Sequence, residues 1–524
     1  MLLAATASAG PSAAVPVLDA DVVLDGIPAE TAWERAALLD GFTVFAPRTD
    51  VAPLVQAHAR AFATSDALYF LVRVDSPGYE IFAPLGPRDT NPGGDSVEVQ
   101  LDPWGDGRRG YSFQVSASGV LRDATVDDRG GSDTAWNSLF DAATYQHDGG
   151  WTAEIEIPFR SLRFDPSVDA WRAHVTVSHW KQQQSLSWAP IDRDSNTFLA
   201  QAGTLTGLGG RTPGRAVELN PEVTASWTDA VDEECALRPS LGRLRGCGAQ
   251  LGFGLGAKWG ITPALTADAV ANPDFSQVEA DPGQLTLNNR FALFLSERRP
   301  FFLEGRDLFE TPLGVVYTRA IGRPEIAAKT TGRAGGWRVG LLAARDPEAP
   351  GSLLDSSLST PEGMAATTSV VRLQRDVGKG AVGGFLIHKD LGGDAFNLVQ
   401  GADLDGHLSE RVFGDLSAFS SQSRDHDDVH KSGVAARGAL TWRSDSFRLQ
   451  GLTEHVSDDF RSEAGFIPRT GYSRGYSKAD WYYRSEGDLA RFVSPGVWVD
   501  HYFTDGSGRI EERTVGANTY WEFG

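Results

Sequence analysis

The sequence predicts an all-β protein in two parts: an antiparallel, jelly-roll-like β-sandwich followed by an antiparallel β-barrel. Three observations predict it. Short runs along the whole chain alternate apolar and polar residues with period two, the signature of half-buried strands. Turn residues separate those runs, and the chain holds 58 glycines among 524 residues with 10% aromatics, where glycine averages roughly 7%. No stretch reaches the ~18 consecutive apolar residues of a membrane-spanning helix.

Residues 1–14, MLLAATASAGPSAA, carry a short apolar stretch and a small-residue motif of the cleavage-site kind. They lack a basic start. The expectation is a signal-peptide remnant, and the alternative is an unstructured small-residue terminus.

Residues 15–209 form the first block. Strand-like runs occur at Val55–Ala63, Leu68–Asp75, Ser96–Asp102, Tyr111–Ser116, Trp151–Ile157 and Trp171–Trp180. In Trp151–Ile157 the residues Trp151, Ala153, Ile155 and Ile157 interleave with Thr152, Glu154 and Glu156. Turn signals at Asn91-Pro-Gly-Gly, Pro103-Trp-Gly-Asp-Gly, Asp128-Arg-Gly-Gly and Asp148-Gly-Gly punctuate them. Many short strands with such punctuation read as a sandwich.

The texture changes across residues 210–524. Leu251, Phe253, Leu255, Ala257 and Trp259 alternate with Gly252, Gly254, Gly256 and Lys258. Similar runs lie at Gly336–Leu342, Val370–Leu373, Ala381–His388, Asp403–Leu408, Val434–Trp442, Phe447–Leu452, Lys478–Tyr483, Val497–Tyr502 and Thr514–Phe523. Small or charged residues opposite modest apolar ones suit a barrel with a polar lumen and an oily outer band. Trp442, Trp481, Trp498 and Trp521 suit interfacial girdles. A large soluble β-domain is the alternative. The last run stops in mid-pattern, and an exposed edge is costly in lipid, so the barrel is expected to be truncated.

The formal net charge of −21 repels phosphate backbones and argues against nucleic acid as a partner. Neutral sugars and cations suit it better. Cys235 and Cys247 either form one small-loop disulfide or remain two thiols. They have no neighbouring His to make a zinc site.

Leu24-Asp-Gly26 with Trp33, the run Asp95-Ser-Val-Glu-Val-Gln-Leu-Asp102, Phe113-Gln-Val115 with Gly119, Trp151–Phe159 and Gly203-Thr-Leu recur in one order across the first block. With these residues the block resembles the family 9 carbohydrate-binding module. The second block carries Asn272-Pro-Asp-Phe-Ser-Gln-Val-Glu-Ala-Asp281, Glu297-Arg-Arg-Pro-Phe-Phe-Leu-Glu-Gly305, Tyr317-Thr-Arg319 and Ala464-Gly-Phe-Ile-Pro-Arg469. There it resembles an uncharacterised C-terminal region of outer-membrane β-barrel-like proteins.

The first resemblance implies a sugar site built from two stacking Trp rings with Glu, Arg, Gln and Asn side chains. Glu98 matches the glutamate. Gln114 stands at the arginine position and Thr176 at the glutamine position. Asn91-Pro-Gly-Gly occupies one tryptophan position, and the other falls near Asn196–Phe198, leaving Phe198 as an aromatic candidate. Trp104, Trp136, Trp180 and Trp188 are candidate replacement faces. Trp33 and Trp151 read as core.

No catalytic residue is assigned. Glu154 and Glu156 share a strand face, as acids on any solvated face do, and Asp95 and Asp102 read as solvated turn edges. A glycosidase would need two opposed carboxyls roughly 5–10 Å apart, so an O-glycosyl hydrolase is the enzymatic alternative only. No cofactor is expected, apart from a Ca²⁺ option at Asp123, Asp127 and Asp128. Glu279, Asp281, Glu297, Arg298, Arg299, Glu304 and Arg306 surround Pro300-Phe-Phe and, in a lumen, are expected to form ion pairs that brace an inward fold; constriction of a pore and plain lumen lining are the alternatives.

The expected role is a bacterial outer-membrane protein that docks or takes up glycans in carbohydrate catabolism. Its partners would be glycan and outer-membrane lipid, and the sandwich would be periplasmic or surface-exposed. The alternative is a secreted, soluble polysaccharide-acting hydrolase or binder.

Overall fold

A computed structural model describes residues 10–522, apart from 50, 92, 129–130, 135, 214–216, 231–244, 274, 276–293, 348, 353, 355–357, 362–363 and 485–491. The chain is all-β and almost wholly antiparallel. The Cys235–Cys247 pairing falls outside the described residues.

The first block is a sandwich of two sheets. One has nine strands, with Trp171–His179, Ser96–Asp102, Arg109–Ser116 and Leu121–Asp127 side by side in its middle. The other has five, centred on Gly150–Pro158, Ala67–Asp75 and Gln56–Ala63. Ser12–Ala14 joins the larger sheet as a parallel strand against Gly203–Thr206. Alternation sends Val97, Val99, Leu101, Phe113, Trp151, Ile155 and Trp171 into one shared core. Trp33 and Trp151 are both buried, as expected of core residues.

The second face of the smaller sheet is covered as well. Leu18, Ala32, Trp33 and Ala36 from the N-terminal segment pack on Phe62, Tyr69 and Leu71. Glu154 lies beneath that cover, fully buried. Its carboxylate accepts the Gly26 N–H at 2.9 Å, the Asp25 N–H at 3.2 Å and the Trp33 indole N–H at 2.9 Å. The face that looked solvated in the sequence is thus a docking face for residues 18–36.

Asp95 and Asp102 also differ from expectation, both being buried. Asp102 accepts the N–H groups of Trp104, Gly105 and Gly107 at 2.6–3.0 Å and so holds a tight turn. Burial beside Asp106 pushes its carboxyl up to about 7. Asp95 accepts the Trp180 N–H at 2.8 Å.

The second block is one large antiparallel sheet running from Val217–Ala230 to Ile510–Glu522. Among the described residues it is not closed: those two end strands each pair on one side only. Its interior strands alternate sharply. In Trp337–Asp346 the residues Arg338, Leu342 and Ala344 are buried, whereas Trp337 and Leu341 are exposed.

The buried face wraps residues 294–322. Phe302, Leu308, Phe309, Val315 and Ile321 of that segment cluster with Leu342, Val370, Phe385, Val399 and Phe419 of the sheet. Glu297 and Arg299 form a buried pair at 2.7 Å, and Arg299 also donates to the Ile321, Gly322 and Thr318 carbonyls. Glu304 accepts from Lys258 at 2.7 Å, and Arg306 reaches Glu310 at 2.8 Å. These charges brace the inserted segment. Glu279 and Asp281 lie outside the described residues.

Candidate functional site

The larger sheet of the sandwich turns one face to the core and the other outward. Register places four outward residues in a single cross-strand row. Thr176 lies opposite Glu98, Glu98 opposite Gln114, and Gln114 opposite Arg122. Neighbours in such a row sit about 5 Å apart. Glu98, Gln114 and Thr176, spread over nearly eighty residues of sequence, are therefore adjacent.

Hydrogen bonds fix the row. The Ser112 hydroxyl and the Gln100 amide, the latter at 2.8 Å, both donate to one oxygen of Glu98. Gln114 donates to Ser96 at 3.1 Å and accepts from Arg122 at 3.3 Å. Glu98, Gln114 and Arg122 are half-buried and keep donor and acceptor capacity toward solvent, whereas Thr176 is only 7% exposed. A planar guanidinium, a planar amide and a carboxylate in line suit vicinal hydroxyls.

Two aromatic side chains border the row. Phe198 lies over His174, ring centres 4.8 Å apart, and His174 is two residues along its strand from Thr176. Trp180 lies four residues beyond Thr176 in the other direction and is 48% exposed. Its indole covers Gly93, where an added Cβ would come within 2.8 Å of the ring. Trp180 thus stands against Gly93, in the segment where the resemblance implies a tryptophan. Strand rise puts His174 and Trp180 roughly 20 Å apart, a span of several sugar rings.

The other aromatic candidates lie elsewhere. Trp188 is a core side chain, 3% exposed, with Gly203 against its ring. Trp104 and Trp136 flank Tyr111 at 5.7 and 4.7 Å, on the core side of the sheet. They line a chamber of about 1010 Å³ between the sandwich, the inserted segment and the inner face of the large sheet. The Arg333 guanidinium covers Trp104 at 4.8 Å.

The three acids of the Ca²⁺ option diverge. Asp123 is buried and bonded to Arg88 and the Ser138 N–H, Asp127 accepts the Gly131 N–H, and Asp128 meets His407 at 3.1 Å. Among the described residues no cluster of three or more His, Cys, Asp or Glu could hold a metal ion.

Arg122 is the member of the row that sequence reasoning missed. Its signal was the hairpin turn around Gly119: counting back from it pairs Val115 with Leu121 and hence Gln114 with Arg122.

Residues 245–334 match a family model described as a domain of unknown function, DUF5916. The chain is similar to a family 9 carbohydrate-binding module from Caldicellulosiruptor kristjanssonii solved with cellotriose. Identity there is 15%, over 37% of this chain and 92% of that one, with a TM-score of 0.28. It is similar to a Bacteroides uniformis protein named for carbohydrate binding, at 18% identity over 38% of this chain and 99% of that one, with a TM-score of 0.31. It is also similar to OmpT, an outer-membrane protein of Vibrio cholerae, at 10% identity over 58% of this chain and 97% of that one, with a TM-score of 0.24. No curated protein matches.

Proposed function

We propose that the chain is an outer-membrane β-barrel protein whose N-terminal sandwich docks glycan through the Thr176–Glu98–Gln114–Arg122 row. One observation carries the membrane reading: the large sheet keeps its charges inside and its oily side chains outside. Leu373, Leu386, Leu404, Leu416 and Leu440, on five neighbouring strands, are each 43–55% exposed. On the opposite face Arg372 grips Asp403 through two 2.7 Å bonds, and Arg448 meets Asp480 at 2.8 Å.

A monomer in water rarely exposes contiguous apolar surface beyond a few hundred Å². In hydrocarbon the same surface is at home. Exposed Trp259, Trp337 and Trp481 lie on strand ends toward one rim, with Phe447 packed on Trp481 at 4.8 Å. A rim of aromatics suits a membrane interface. No helix of the described residues is long and apolar enough to cross a membrane, so crossing falls to the strands.

The glycan reading is supported by the row's donors and acceptors and by the bordering Trp180 and Phe198. Sugar C–H faces stack on aromatic rings while hydroxyls take planar polar groups.

The decisive experiment is fractionation of the full-length chain. It is expected in the outer membrane, requiring detergent and migrating differently with and without boiling. Recovery as a dissolved monomer would overturn the proposal in favour of a soluble binder. In detergent, calorimetry against neutral glycans should give a response that Trp180→Ala and Glu98→Gln each weaken about tenfold. A flat response across the panel removes the glycan claim alone.

A further inference from the structure

We infer that the sandwich is seated on the periplasmic mouth of the barrel, so that its polar row meets glycan inside the outer membrane rather than outside the cell. This rests on the membrane-spanning reading of the large sheet.

The two ends of that sheet are unlike. At one end, tight turns join the strands at Thr262–Leu265, Ala334–Trp337, Val377–Gly380, Ser409–Val412 and Arg443–Phe447. At the other, residues 272–325, 347–365 and 457–471 make long connections beside short ones at 391–395, 425–429 and 505–509. Transmembrane barrels place short turns in the periplasm and long loops outside.

Polar contacts join the sandwich to the sheet at the short-turn end. Asp106 meets Arg333 at 2.8 Å, and Arg108 meets Asp376, which also holds Arg338. Asp128 meets His407, Asp194 meets Arg411 at 2.6 Å, and Arg193 meets Asp445 at 3.5 Å. The Asn196 N–H donates to the Glu410 carbonyl at 2.6 Å, and Arg163 donates to Thr266 at 3.0 Å. Each sheet residue named lies within or close beside one of the five tight turns. These contacts span the sheet from Thr266 to Asp445. An attachment so distributed seats the sandwich across the mouth rather than tethering it at one corner.

The test is epitope access on cells carrying the full-length chain. One variant carries an epitope between Asp427 and Asp428, in the turn opposite the sandwich. Another carries it at Gly149, an open sandwich turn where an added side chain meets nothing within 4 Å. Antibody should bind the first on intact cells and the second only after the outer membrane is permeabilised. Binding at Gly149 on intact cells overturns the inference, as does an Asp427 epitope hidden until permeabilisation. Protease treatment of intact cells bearing the untagged chain is the second readout: the sandwich should be protected, and its release overturns the inference. Fractionation comes first, and a chain found in the soluble fraction is the separate failure of the membrane reading.

Discussion

The two halves of this molecule use the same alternation to opposite ends. In the sandwich, Val99, Phe113 and Ile155 face inward and are fully buried. In the large sheet, Leu386 and Leu416 face outward, and the inward positions hold Arg372, Asp403 and Arg437 beside the aromatics that meet the inserted segment. Period two says only that a strand has two different faces. Which face is the core depends on what lies beyond it. The sandwich has a second sheet there; the large sheet has a polar interior on one side and a proposed bilayer on the other. The lesson is that inward charges matched by opposite charges, more than outward leucines, separate a lumen from a soluble core.

The largest expected effect tests the sandwich side. Trp151→Ala empties a buried indole volume from the shared core, and such truncations cost about 3–5 kcal/mol. The sandwich should unfold at markedly lower denaturant, measured by tryptophan fluorescence in detergent. Leu386→Ala, on the outside of the large sheet, should change stability far less. Equal losses from both would erase the distinction between the halves.

A charge on the outer face comes next. Leu386→Arg should cost about 2–4 kcal/mol if that position lies near mid-membrane. The measurable result is a smaller folded, heat-modifiable fraction in the outer membrane. The same change on a surface bathed in water would be nearly silent, and a silent result would break the comparison.

Much of this contrast was legible in the sequence. Trp151–Ile157 is realised as the strand Gly150–Pro158 and Ser96–Asp102 as itself, because clean alternation and glycine turns set their limits. The second half was read less fully. Val412–Arg424 went unread: Ser417, Ser421 and Ser423 share the buried face with Phe413 and Phe419, so the apolar alternation is diluted. Val370–Leu373 expands to Ala366–Val377 for the same reason, since Thr368 and Gln374 are also inward. Glu98, Gln114 and Thr176 were legible through resemblance, but their adjacency needed register, which depends on contacts far apart in sequence. Glu154 was misread because the cover on its face comes from residues 18–36, beyond the reach of any local pattern.

That misreading supplies a smaller test. Glu154→Gln keeps the size of the side chain but removes the charge and one acceptor oxygen beneath the Asp25–Gly26 turn. Leaving a buried N–H unsatisfied costs about 1–3 kcal/mol. The expected signature is local: faster hydrogen exchange at Gly26 and in residues 31–35, with the core around Trp171 unchanged. Uniform loss of protection would mean that the N-terminal cover and the sandwich core form one unit.

The smallest effect is a pH dependence confined to the sandwich. His174 is fully buried between Phe198 and Ser187, and burial pulls it down to about 4. The unfolded chain therefore binds more protons than the folded one between about pH 6.5 and 4. The His174 contribution is complete above 6.5 and is lost as pH falls through that window. Asp102, pushed up to about 7 by burial and Asp106, works the other way. The folded state binds more protons there, so stability from Asp102 grows as pH falls from about 7 toward 4. Asp123, pushed up to about 6 by burial and Asp89, acts in the same direction as Asp102, so the wild-type sandwich sums opposed contributions across mild acid. His174→Gln removes one side of the balance, and its stability relative to wild type should rise steadily from pH 6.5 to 4.5. A constant gap between the two proteins over that range would mean that His174 is hydrated enough to take up its proton without unfolding anything.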